Sequence, residues 1–168
     1  MSAASPVPSP GSGRPRLDPR DPVGIDALLS EEELAVRQTV RDFCADKILP
    51  HVAGWYERGE LPGARELARE LGKIGLLGMH LTGYGCAGMS AVDYGLACLE
   101  LEAADSGVRS LVSVQGSLAM YAIWRFGSEA HKTEWLPRMA TGEQNGIVKA
   151  STPFDAGLDR SMAVMSGK

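Results

Sequence analysis

The 168 residues predict an all-α domain, a helical bundle with a short irregular or β-like tail. Three observations carry that prediction. Apolar residues recur at three- and four-residue spacing in successive stretches from Ser30 to Glu143, the period of a helix with one buried face. Helix start and stop signals punctuate these stretches. The connections between them are short, as in helix bundles.

Residues 1–25 come before the bundle. They hold six prolines, Pro6, Pro8, Pro10, Pro15, Pro19 and Pro22, and few apolar residues. Such a stretch buries too little surface to offset its ordering entropy, so it reads as a flexible lead. It has no apolar core of a secretory signal. Arg14, Arg16 and Arg20 among serines resemble a transit peptide, but the prolines oppose the amphipathic helix that such a peptide needs.

The first helix begins after Ser30. Ser30 and Glu33 form a capping box, and Val36, Val40, Phe43 and Cys44 follow at helical spacing until Pro50. A second helix is expected over Ala64–Ile74, with Leu67, Leu71 and Ile74 on one face and Gly75 at its end. A glycine-rich loop, 83–88, leads to a third helix from about Ser90 to Ala104 with a stripe of Val92, Leu96, Leu99 and Ala103. Asp105-Ser106-Gly107 breaks it. A fourth helix is expected from about Val108 to Arg125 with Leu111, Val114, Leu118 and Tyr121 on one side. The last starts at Ser128, carries Trp135, Leu136 and Met139, and holds a kinking Pro137. From Ile147 the periodicity is lost, and Ile147-Val148 reads as the start of a strand. The organisation is therefore a lead over 1–25, a helical domain over 26–146, and the altered start of a second domain over 147–168.

Composition narrows the function classes. A net charge of −4 gives no electrostatic reason to bind nucleic acid or anionic lipid. No apolar run is long enough to span a bilayer. Cys44, Cys86 and Cys98 form no Cys-x-x-Cys pair and read as reduced thiols of a cytoplasmic protein. His51, His80 and His131 are scattered, so no metal site is expected.

One motif points to another class. Gly83, Gly85 and Gly88 satisfy G-x-G-x-x-G, the phosphate-cradling turn of dinucleotide-binding proteins. Against it, the preceding Leu76–Thr82 is poor in β-branched residues and interrupted by Gly78. The acidic candidates for a ribose contact, Glu102 and Asp105, precede rather than follow the second strand that the motif requires. Leu71-Gly72-Lys73-Ile74 is no P-loop, because neither Ser nor Thr follows the lysine. The glutamates Glu100 and Glu102 read as a solvated helix face, and Tyr121, Trp124 and Trp135 as packing residues.

Several strings in fixed order carry a resemblance. They are Leu76-Leu77-Gly78, Gly83-Tyr84-Gly85-Cys86-Ala87-Gly88, Tyr94-Gly95-Leu96, Leu99-Glu100-Leu101-Glu102, Asp105-Ser106-Gly107-Val108-Arg109-Ser110, Ser113-Val114-Gln115-Gly116-Ser117-Leu118, Phe126-Gly127-Ser128-Glu129, Trp135-Leu136-Pro137 and Ala140-Thr141-Gly142-Glu143. Over residues 26–146 the chain resembles the N-terminal helical domain of the acyl-CoA dehydrogenase family, most closely its glutaryl-CoA branch. The resemblance implies FAD as cofactor, an acyl-CoA substrate, a homo-oligomer, and reoxidation by an electron-transfer flavoprotein. It implies a glutamate base for the α-proton, hydride transfer to the flavin, and decarboxylation of the product to crotonyl-CoA. It also places Arg109, followed by Ser110, where that branch binds the distal carboxylate of the acyl chain. A cation in the first turn opposes the helix dipole at about 0.3–1 kcal/mol, which a carboxylate-binding role explains. The bland alternative is an exposed arginine paired with Glu102 or Asp105.

The chain departs from the family after Gly146. The flavin-binding strand of the family reads approximately Phe-Gly-Leu-Thr-Glu-Pro-x-x-Gly-Ser-Asp, and here residues 148–159 carry one extra residue between Pro153 and Gly157. An inserted residue reverses the faces of all later strand side chains. Ser151 and Thr152 remain as cofactor-binding candidates. No glutamate follows Glu143, so the base is expected to be missing, and these residues are expected to be inactive alone. The remaining alternatives are a non-catalytic helical interaction module, or a gene remnant. The compartment expected is the cytoplasm, or the mitochondrial matrix in a eukaryote.

Overall fold

A computed structural model describes residue 19 and residues 21–145. Most of the proline-rich lead and the whole stretch 147–168, including the expected strand at Ile147, lie outside them. A 3-10 turn, Ile25–Leu28, comes first, and Asp21 receives the backbone N–H groups of Ile25 and Asp26. The helices α1 (Glu31–Lys47), α2 (Val52–Arg58) and α3 (Ala64–Lys73) follow. A hairpin of β1 (Thr82–Gly83) and β2 (Cys86–Ala87) leads to α4 (Ala91–Ala104) and α5 (Ser106–Ser113). A π-helical segment, Val114–Met120, runs straight into α6 (Tyr121–Phe126), and α7 (Glu129–Ala140) ends the bundle. The expected all-α bundle is what forms.

Local chemistry sets the boundaries. Ser30 and Glu33 make the expected capping box, and Ser90 with Asp93 makes a second one at α4. Pro50 does end α1, but only a turn separates it from α2. That helix was not anticipated, because its seven residues include Gly54 and no stripe long enough to show a period. It stops at Gly59, whose left-handed φ of 66° supplies the C-terminal turn.

The core lies between α1, α3, the loop 76–81, α4, α5 and α7. Val40, Cys44, Ile48, Leu71, Leu77, Leu81, Leu101, Val108, Val112, Met120 and Leu136 are almost fully buried. Two expected stripes are corrected. On α4 the inward residues are Asp93, Leu96, Ala97, Glu100 and Leu101, while Val92 and Leu99 are exposed. Two carboxylates sit on the buried face, so a stripe drawn through apolar residues alone lands on its edge.

On the α5 run, Val108, Val112, Gly116 and Met120 point inward, and Val114, Leu118 and Tyr121 face out. Buried residues four apart drift by about 40° per step on a regular helix of 3.6 residues per turn. The wider turns of the π segment cancel that drift, and a stripe drawn on regular geometry misses it. Ile74, expected inward, is likewise 37% exposed at the frayed end of α3.

The glycine-rich loop is a hairpin turn. Thr82 pairs with Ala87 and Gly83 with Cys86, antiparallel, around Tyr84 and Gly85 at φ 53° and 80°. Two left-handed residues make the tight turn that matches strand twist. A dinucleotide fingerprint needs a strand running into a helix within a parallel sheet; here β1 returns as β2, and Met89 and Ser90 separate the last glycine from α4. That alternative is set aside.

Candidate functional site

The corner between α4 and α5 builds the site. Asp105 leaves α4 in extended backbone and caps α5, its carboxylate accepting the Val108 N–H at 2.8 Å. The cap places Arg109 in the first turn of α5, and its backbone N–H donates to the Asp105 carbonyl at 3.1 Å. From there the side chain turns back across the corner to α4.

Arg109 Nε donates to Glu102 Oε2 at 2.5 Å, and Nη1 donates to Ser113 Oγ at 3.2 Å. Ser106 Oγ donates to the other Glu102 oxygen at 2.8 Å. The hydrogen bond from Arg109, then that from Ser106, holds the Glu102 carboxyl below the usual glutamate range. The same bond stabilises the Arg109 cation. The side chains keep 34% and 48% exposure, so water screens the pair. The pairing with Glu102 is thus real, and it does not saturate the arginine. Of the five N–H donors of a guanidinium, two are used by Glu102 and Ser113, leaving three that meet no acceptor among the described residues.

Arg109 closes one end of a polar seam. On α4, Tyr94, Cys98 and Glu102 stand four residues apart; on the facing run, Arg109, Ser113 and Ser117 do the same. At the far end the Tyr94 and Ser117 hydroxyls bond at 2.9 Å. Burial pushes the Tyr94 phenol and the Cys98 thiol up, and the nearby Arg109 charge partly offsets this in both. Apart from Arg109 and Glu102, the sequence reading passed these residues over. Their signal is a four-residue polar spacing on two consecutive helices, masked by the stronger apolar periodicity of the same helices. Ser110 is half-buried beside Arg109, and its carbonyl accepts the Ser113 hydroxyl at 3.2 Å.

Ser151 and Thr152 lie outside the described residues. Trp124 and Trp135 pack against the core as expected, Trp124 donating to the Thr82 carbonyl at 2.9 Å. Tyr121 stacks on Trp124 and is 42% exposed.

Glu100 is corrected: it faces inward rather than to solvent. It accepts Arg37 Nε at 2.7 Å and Arg41 Nη2 at 2.7 Å, while Arg37 also reaches Asp26. Burial pushes its carboxyl up, and the hydrogen bonds from Arg41 and Arg37 outweigh that, leaving it below the usual range. The partners lie on α1, 63 and 59 positions away, where no local pattern reveals them. Burial drives the Cys44 thiol to about 11, with the Glu100 charge adding to the rise, so this cysteine is a packing residue.

Clefts of about 430 and 420 Å³ lie elsewhere, one along α1 and one between the hairpin and α6. Neither includes Arg109, whose site is an open seam. Among the described residues no cluster of three or more His, Cys, Asp or Glu side chains is placed to hold a metal. No described helix is long and apolar enough to cross a membrane.

Comparison with known proteins fixes the class. Residues 30–143 match the model of the acyl-CoA dehydrogenase N-terminal domain. The chain belongs to the acyl-CoA dehydrogenase family. It is 68% identical to a glutaryl-CoA dehydrogenase from Mycobacterium smegmatis, with a TM-score of 0.72, over 75% of this chain and 33% of that one. A glutaryl-CoA dehydrogenase from the same organism in complex with FADH2 is 56% identical, with a TM-score of 0.70, over 73% and 31%. An acyl-CoA dehydrogenase of Bacillus subtilis is 31% identical over 140 residues, 81% of this chain and 36% of the relative. The chain thus spans about a third of the length of its relatives.

Proposed function

We propose that these residues are the acyl-binding helical part of a glutaryl-CoA-type acyl-CoA dehydrogenase, with Arg109, beside Ser110, receiving the distal carboxylate of the substrate. One observation carries the reading: a guanidinium braced by Glu102 and Ser113 keeps three donors for a ligand, in a planar fork suited to a carboxylate. The likeness to glutaryl-CoA dehydrogenases supports it.

Bound FAD would supply the hydride acceptor for the β-carbon, and an electron-transfer flavoprotein would take the electrons onward. The described residues do not by themselves fit a flavin. The one buried side-chain polar atom without a partner among them is His80 Nδ1, too little to form a cradle. The candidate contacts Ser151 and Thr152 belong to the stretch beyond. On this reading the base that removes the α-proton, and with it the route to crotonyl-CoA, belongs to other parts of the enzyme. What these residues contribute is binding and orientation of the acyl chain, within a larger homo-oligomeric enzyme.

Calorimetry of the purified chain with glutaryl-CoA and butyryl-CoA tests the reading. Glutaryl-CoA is expected to bind about tenfold more tightly, the scale of one charge-assisted contact, and Arg109→Gln to erase the difference. Equal binding of the two thioesters sinks the assignment. Mixed with FAD and glutaryl-CoA, the chain is expected to leave the flavin absorbance unbleached; bleaching overturns the absence of turnover.

A further inference from the structure

We infer that Ser113 is a positioning residue that fixes the plane of the Arg109 guanidinium for its ligand. The inference rests on the reading of Arg109 as a carboxylate receptor. Arginine has a long, rotatable side chain, and a fork binds well only when its plane is held. Glu102 holds one edge, at Nε, and is itself held by Ser106. An Nε contact alone leaves the terminal amino groups free to turn.

Ser113 supplies the second contact. It lies four residues after Arg109, one turn along α5, so both side chains share a face. Its hydroxyl proton is directed to the Ser110 carbonyl at 3.2 Å, which turns its lone pairs toward Arg109 Nη1, also at 3.2 Å. The relay runs one way, Arg109 to Ser113 to backbone, and an alanine there removes both bonds. Ser113 is also the last residue before the π segment. The register that brings Arg109 and Ser113 together therefore ends where the helix widens.

The test uses the whole chain. Nitrogen-edited NMR of the Arg109 guanidinium, assigned through Arg109→Lys, is recorded for wild type, Ser113→Ala and Ser113→Thr, and each is titrated with glutarate. Wild type is expected to show separate terminal N–H signals, from slowed rotation at Cζ–Nη. Ser113→Ala is expected to merge them and weaken glutarate binding by about three- to tenfold, the scale of one half-exposed charge-assisted hydrogen bond. Ser113→Thr restores both. Alanine is a better helix former than serine, so the loss is not a folding defect. Unchanged signals and affinity in Ser113→Ala overturn the inference. If wild type and Arg109→Gln treat glutarate alike, the carboxylate reading fails on its own, and the rotation signals still decide whether Ser113 orients the side chain.

Discussion

Glu100 and Arg37 stand 63 residues apart in the chain and meet at 2.7 Å, with side chains only 8% and 5% exposed. This contact ties α1 to α4 through charge inside an otherwise apolar core. Removing one partner strands the other in low dielectric.

Glu100→Ala is therefore expected to destabilise the fold by about 2–4 kcal/mol, below the range for a fully buried pair because Asp26 still meets Arg37 and Arg41 is a quarter exposed. Urea unfolding measures it. The pH dependence has a defined sign. The folded carboxyl titrates below its unfolded value of about 4.3, so its contribution is present above that pH and is lost as pH falls through the folded value. Glu100→Gln should flatten the acid side of the stability curve. A curve of unchanged slope below pH about 4.3 would show that the pair is not the acid-sensitive element.

Gly72 marks a close backbone approach between α3 and the end of α7. A Cβ there would sit 2.5 Å from the Thr141 carbonyl carbon and 2.6 Å from its oxygen. Neither atom is the end of a flexible side chain, so one helix must move. Gly72→Ala is expected to cost about 1–3 kcal/mol, as overpacking does, despite the higher helix propensity of alanine. A melting temperature equal to that of the wild type would contradict the contact.

His80 packs its ring against Tyr94, centroids 4.7 Å apart, and its Nδ1 has no hydrogen-bond partner among the described residues. Burial pushes its pKa down. The unfolded chain then takes up a proton first, so stability is full above about pH 6.5 and falls as pH drops below it until the folded imidazole also titrates. Carbon NMR of the imidazole should show a titration midpoint below that of a free imidazole, about 6.5, and His80→Phe should remove this component of the pH dependence. A midpoint at or above about 6.5 would refute it.

Local signals were legible in the sequence wherever chemistry acts within one turn. The Ser30 box, the Gly75 stop and the inward face of α1 follow from neighbouring residues. What was not legible depends on distance or on irregular helix. Glu100 looks solvent-facing until Arg37 and Arg41 arrive from α1. The outer stripe of Leu118 and Tyr121 looks buried until the helix is seen to widen at Val114. The Arg109 pair with Glu102 was foreseen as the bland alternative to carboxylate binding. The structure shows that pairing, and because Glu102 takes only the Nε–H and Ser113 one Nη1 proton, three donors meet no acceptor among the described residues.

The π segment has one more consequence. Seven residues of wide helix cover about the same axial length as one fewer residue of regular helix, the mark of a single-residue surplus absorbed without a loop. Winding the same seven residues as regular helix would turn everything after them by about 100° about the axis. Met120 would leave the core and Ser117 would leave Tyr94. This stretch therefore acts as a phase-setter: its wide winding, more than any side chain in it, keeps the inner packing and the outer seam in step.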